Sequence, residues 1–133
     1  MRLWHKELIP FLPRQQLLGQ WRECCAIAFN IEQNGTPNHV LVNKVMDYPR
    51  EHFNSYAHLV YAEMLRRGYK ADWKKFAGKE TCKFLPEGRE LFKGWHNERY
   101  MRQCIYNLQE KADCGAIPED EWERVTDEWP WFE

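Results

Sequence analysis

The sequence predicts an all-α fold: a compact single domain of three main helices with an extended N-terminal arm and long loops. Three observations lead there. Apolar residues recur at helical spacing over about 14–31, 50–67 and 97–112. Two-residue alternation is confined to the short stretch His39-Val40-Leu41-Val42-Asn43. The chain has 133 residues, 44% of them hydrophobic, which suits one domain with a real core.

The elements follow in order. Pro10 and Pro13 break the first thirteen residues, so Met1–Pro13 reads as an extended arm. Leu17, Leu18, Trp21, Cys24, Cys25 and Ala28 then fall on one helix face, with Gln16, Gly19, Gln20 and Glu23 beside it. The sequence Asn34-Gly35-Thr36-Pro37-Asn38 is a turn signal. The alternation after it fits a strand-like piece or more loop. A second helix fits Arg50–Arg67, with Phe53, Ala57, Val60, Tyr61 and Met64 on one face and Gly68 closing it. Tyr69–Pro86 reads as a loop, basic in Lys70, Lys74, Lys75, Lys79 and Lys83, and Glu87–Lys93 as a short helix. The third long helix spans Asn97–Ala112, with Asn97 as its N-cap and Met101, Cys104, Ile105 and Leu108 inward. Pro118 opens a last acidic helical turn, and residues 118–133 form an acidic, aromatic tail.

Net charge is −1, which by itself does not announce a nucleic-acid partner. Its distribution does more. Residues 1–75 carry eleven Lys/Arg against seven Asp/Glu, whereas residues 76–133 carry eight against thirteen. A basic body with an acidic tail offers a phosphate-facing surface of modest, salt-sensitive affinity. The seven Trp, seven Phe and six Tyr supply an aromatic core, or rings on which bases stack. The five cysteines are odd in number and lack a C-x-x-C pair, so we expect reduced thiols, an intracellular, cytoplasmic chain and no signal peptide. No run of eighteen apolar residues exists, so no membrane partner is expected. The five histidines show no metal-ligand spacing, and neither metal nor cofactor is expected.

The chain opens Met1-Arg2-Leu3-Trp4, and Arg14-Gln15-Gln16-Leu17 leads into Trp21-Arg22-Glu23. The later block Tyr56-Ala57-His58-Leu59-Val60-Tyr61-Ala62-Glu63-Met64-Leu65-Arg66-Arg67-Gly68-Tyr69 ends in R-G-[FY]. Together these resemble the pyrimidine-dimer DNA glycosylases of the endonuclease V type, over roughly the first seventy residues. The resemblance implies one helical domain over residues 1–133. It also implies a DNA-repair glycosylase with AP-lyase activity on damaged pyrimidines, acting on double-stranded DNA with no obligate protein partner. In such enzymes the chain's own α-amino group attacks C1′ and forms a Schiff base. α-Amino groups as a class titrate some two to three units below lysine, which leaves a useful neutral fraction.

Carried over, the resemblance makes Met1 the nucleophile and Glu23 the proton-transfer carboxylate. Arg2, Arg22, Gln15, Lys74 and Lys75 become the DNA-binding set. Arg2 is too large for removal of the initiator, so Met1 itself carries the amine. Ala26 stands where the family has a basic residue one turn after the glutamate. His5 and His39 lie in segments near the arm and first helix and are candidates to line the site. Two other readings stay open on the residues alone. Glu23 serves as a plain salt-bridge partner, or the chain is a non-catalytic nucleic-acid-binding protein that keeps the fold.

Overall fold

The computed structural model describes residues 1–76 and 83–130. Among these the chain is all-α: α1 (Arg14–Asn34), α2 (Arg50–Arg66), α3 (Glu98–Asp113) and α4 (Glu119–Glu128), with one 3-10 segment before α1 and one after each of α1 and α2. Cys82, Lys79 and the terminal Trp131-Phe132-Glu133 lie outside the described residues. α1 packs on α2, α3 on α4, and the N-terminal segment on both α2 and α4.

The arm is not extended as expected. Lys6–Phe11 winds into a 3-10 helix with Pro10 inside it. Proline's fixed φ suits such a turn, and in so short a helix its missing N–H leaves few bonds unmade. Leu3, Leu8 and Leu12 are fully buried, so the arm is part of the core. Arg67 holds it down. Its guanidinium donates to the Leu12 carbonyl at 2.8 Å and the Pro10 carbonyl at 3.1 Å, and to the Glu63 carboxylate at 2.7 Å. Burial pushes the Glu63 carboxyl up, but hydrogen bonds from Arg66 and Arg67 outweigh it and hold the group below its ordinary range.

α1 runs three residues past the expected end, because Gly35 caps it in the left-handed region at φ 75°. The His39–Asn43 stretch is neither strand nor simple loop. Val42 is fully buried and the chain enters a 3-10 helix over Asn43–Asp47. α2 begins at Arg50 as expected and buries Phe53, Ala57, Val60 and Met64, with Tyr61 half-buried. α3 begins as expected: the Asn97 side chain accepts from the Tyr100 N–H at 3.0 Å, and Met101, Cys104, Ile105 and Leu108 are buried. The acidic turn after Pro118 is longer than expected, a ten-residue helix.

The expected helix over Glu87–Lys93 does not form. That segment is a series of turns, with Phe92 fully buried at φ 51°. Its backbone groups are taken by side chains from elsewhere. His52 Nδ1 accepts from the Phe92 N–H at 3.0 Å, Lys6 Nζ donates to the Leu91 carbonyl at 2.6 Å and the Tyr48 hydroxyl to the Lys93 carbonyl at 2.6 Å. Seven of the eighteen described aromatics, Trp4, Trp21, Trp95, Phe53, Tyr56, Phe76 and Phe92, are buried, and others pack partly buried against them. The described cysteines Cys24, Cys25, Cys104 and Cys114 are free thiols.

Candidate active site

The central residue of the site is Gln20, fully buried on α1. Its Oε1 accepts from the Trp4 N–H at 2.7 Å and lies 2.9 Å from the Tyr56 hydroxyl. Its Nε2 donates to the Arg2 carbonyl at 3.0 Å and to Glu23 Oε2 at 3.2 Å. One amide therefore ties both ends of the Arg2-Leu3-Trp4 tripeptide to the helix and steadies the carboxylate one turn on. Two hydroxyls finish the attachment, Tyr56 to the Trp4 carbonyl and Tyr100 to the Leu3 carbonyl, each at 2.5 Å. The arm has no freedom to leave without breaking buried hydrogen bonds.

This attachment brings Met1, Arg2 and Glu23 to one pocket of about 330 Å³. Gln15, Gly19 and Gln20 line it from α1, and Asn107 and Lys111 from α3. Burial pushes the Glu23 carboxyl above its ordinary range. Four groups pull against that: first the α-ammonium of Met1, then the Arg2 backbone N–H, His39 and Arg22. The chain terminus is thus the leading charge acting on this carboxylate. A carboxyl whose protonated form is favoured by desolvation, beside an amine, is suited to proton transfer.

The other expected residues divide. Arg22 lies across a second pocket of about 500 Å³ with Trp21, Cys25, Lys70 and Lys75. A Cβ added at Gly19 would stand 3.9 Å from Arg22 Nη2, so the guanidinium lies beside a glycine that lines the Met1 and Glu23 pocket. Lys74 is exposed on the Trp73–Lys75 3-10 helix. Arg2 stacks its guanidinium over Trp4, 5.4 Å from the ring centre. His39 faces Glu23 electrostatically. His5 does not line the pocket. It is 2% exposed and packs against His96 and Tyr100, its ring centre 5.1 Å from that of His96. Arg22 makes no ion pair with Glu23 among the described residues, which removes the plain salt-bridge reading of that couple.

Gln16, Asn107, Lys111 and Leu41 also line the pocket and were not expected there. Gln16 Oε1 is buried with no partner, an acceptor on the pocket wall. Its place beside the apolar face of α1 was visible in the spacing. Asn107 and Lys111, four apart on α3, carry only an ordinary helix-surface pattern, and nothing local marks them. No group of three His, Cys, Asp or Glu that could hold a metal is present among the described residues. Among the described residues no helix is long and apolar enough to cross a membrane.

A short N-terminal arm is locked to α1, and its terminus shares a pocket with the half-buried Glu23. Residues 1–76 match the family of pyrimidine dimer DNA glycosylases, and the chain belongs to that family. The matched span holds the arm, α1, α2 and every expected site residue, and stops short of Asn107 and Lys111. Comparison with curated proteins and with solved structures returned no match.

Proposed function

We propose that this protein is a DNA N-glycosylase with an associated AP-lyase step, using the Met1 α-amine as nucleophile on damaged pyrimidine nucleotides in duplex DNA. The observation that carries the reading is the shared pocket of Met1 and Glu23, with the terminal ammonium the first charge to act on that carboxylate.

The neutral amine bonds to C1′ of the damaged nucleotide, the C1′–base bond breaks, and the base leaves with a proton. The nitrogen lone pair then expels O4′, which takes a proton from the Glu23 carboxyl, giving a protonated Schiff base. Glu23, now a carboxylate, removes a C2′ proton, and the C3′–O bond breaks to release the 3′-phosphate. Water hydrolyses the imine and returns the amine. The raised Glu23 carboxyl supports both halves of this exchange, since desolvation favours the protonated form that gives the proton and makes the carboxylate a stronger base. Lys111 and Arg2 stand on the same pocket as cations for the flanking phosphates. Arg22, Lys75 and Lys74 extend the basic surface along α1 and the next turn, and Gln15 adds a neutral hydrogen-bonding contact.

The test is borohydride reduction of the protein mixed with abasic and dimer-containing duplexes. A covalent protein–DNA adduct is expected, with the modified residue at Met1 in a peptide map. Salt-sensitive binding with no adduct on any lesion would favour the non-catalytic DNA-binding reading.

A further inference from the structure

We infer that the pocket beyond Leu41 is a second phosphate-binding subsite, in which Lys44 and Arg99 hold the backbone of the damaged strand several nucleotides to one side of the reacting sugar. This rests on the DNA-binding function just proposed and adds to it a surface built partly outside the span that matches the family.

α3 supplies the path. Arg99, Gln103, Asn107 and Lys111 follow one another at four-residue intervals, so they form one row along the helix. Asn107 and Lys111 line the pocket of Met1 and Glu23, and Arg99 and Gln103 line the next pocket, of about 350 Å³. Leu41 lines both, so the two pockets adjoin at that side chain. Lys44 joins the second pocket from the 3-10 helix after α1. The row contains no carboxylate. The neighbouring row, Glu98, Arg102, Tyr106 and Glu110, starts and ends on one, and its Arg102 pairs with Glu98 at 2.8 Å. Lys44 and Arg99 are exposed, and neither makes an ion pair among the described residues.

Two uncompensated cations on one rim call for an anion, and the row's continuity with the reaction pocket selects the DNA backbone. A strand whose sugar meets Met1 and Glu23 carries its next phosphates along α3. Arg99 precedes Asn107 by eight residues and Lys111 by twelve, which is about 12–18 Å of helix. One strand of a duplex presents a phosphate about every 3.4 Å of axis, so this reach is about three to five nucleotides. Gln103 offers its amide to phosphate or sugar oxygens along the way. Such contacts fix register and carry no base sequence, so the subsite should act alike on every lesion.

The test measures equilibrium binding to a duplex with a tetrahydrofuran abasic analogue, which cannot react with the amine. Losing one phosphate contact should shrink the fall in affinity between about 50 and 200 mM salt by about threefold. Arg99→Ala and Lys44→Ala should each do this, and the double variant should shrink it by about tenfold. Uncharged methylphosphonates then replace roughly the third to fifth phosphates of the damaged strand, on each side of the analogue in turn. On one side the replacement should weaken wild-type binding and leave the double variant nearly unaffected. On the other side it should act equally on both proteins. Arg89→Ala, which removes an exposed cation at a different pocket, should behave as wild type. All variants should keep the wild-type circular dichroism and melting temperature. An unchanged salt dependence in the double variant, or a replacement that affects both proteins equally on both sides, overturns the subsite. A loss of self-association with DNA binding unchanged would mean that the cations meet the acidic α4 of a second copy, which also overturns it. Because the analogue cannot react, the subsite stands even if borohydride trapping fails, so it and the amine chemistry are judged separately.

Discussion

Glu23 is where a single residue's environment has two opposite consequences. Its burial on α1 raises the carboxyl and suits it to proton transfer, yet the same burial makes the charged form a burden on the fold. Glu23→Gln keeps the size and loses the proton chemistry. Strand cleavage should fall by about 10²–10⁴ in a single-turnover assay, while duplex binding holds. The sign for stability follows from the raised carboxyl. The unfolded carboxyl ionises at a lower pH than the folded one, so charging costs the folded state at neutral pH. The variant should therefore melt higher than wild type at pH 7, and the difference should vanish below about 4, where both states carry the proton. Equal melting temperatures at both pH values would count against a desolvated carboxyl. His96 gives the opposite case. Burial first, then His5 and Lys6, hold its imidazole down to about 2, against 6.5 in the unfolded chain. The folded state stays neutral while the unfolded state gains a proton, so stability is full above about 6.5 and is lost as pH falls below it. The slope reaches about 1.4 kcal/mol per pH unit for one such group. His96 Nδ1 accepts from the Lys6 N–H at 2.9 Å, and Asn offers an oxygen there. His96→Asn should flatten the fall in melting temperature between pH 7 and 5. The sequence flagged Glu23 through its place in the Arg22-Glu23 pair, but the buried His5–His96 contact spans ninety-one residues and no local pattern reports it.

At the scale of elements, the candidate site is a helix holding a terminus. α1 contributes Gln15, Gly19 and Gln20 to one pocket and Trp21, Arg22 and Cys25 to the other, so its surface divides the basic region in two. Gln20 joins helix to arm. Gln20→Leu keeps volume but leaves the Trp4 N–H and the Arg2 carbonyl buried without that partner, which should cost about 1–3 kcal/mol in urea unfolding. The rate of borohydride-trapped adduct should fall more than affinity for an abasic duplex, because the amine and Glu23 lose their common support. A variant with reduced stability but an unchanged trapping rate would make Gln20 structural only. Helix positions were legible from apolar spacing in α1, α2 and α3, where one face is buried and the period is strong. The arm and the 87–93 segment were misread because their order comes from distant partners. Arg67 supplies the arm with donors, and His52, Tyr48 and Lys6 bond the later segment.

For the whole molecule, the terminus is fixed to the core and the basic surface is distributed around it. Adding a few residues before Met1 displaces the amine by roughly 3.3–3.6 Å per residue. The trapped adduct should disappear, since a misplacement of one ångström costs about 10²-fold in a positioned reaction. Binding should persist and weaken as salt rises. An adduct that survives extension would assign the nucleophile to a lysine such as Lys6. The sequence by itself determined the helical class, the three long helices and the family. These are written in local spacing and in short motifs, which need no knowledge of distant neighbours. Tertiary structure alone decided that the arm winds and is buried, that Gln20 secures it, that Asn107 and Lys111 of α3 complete the pocket, and that Leu41 stands at its rim. Each of these depends on groups brought together across long stretches of chain by burial and hydrogen bonding, and such contacts leave no periodic trace in the residues that make them.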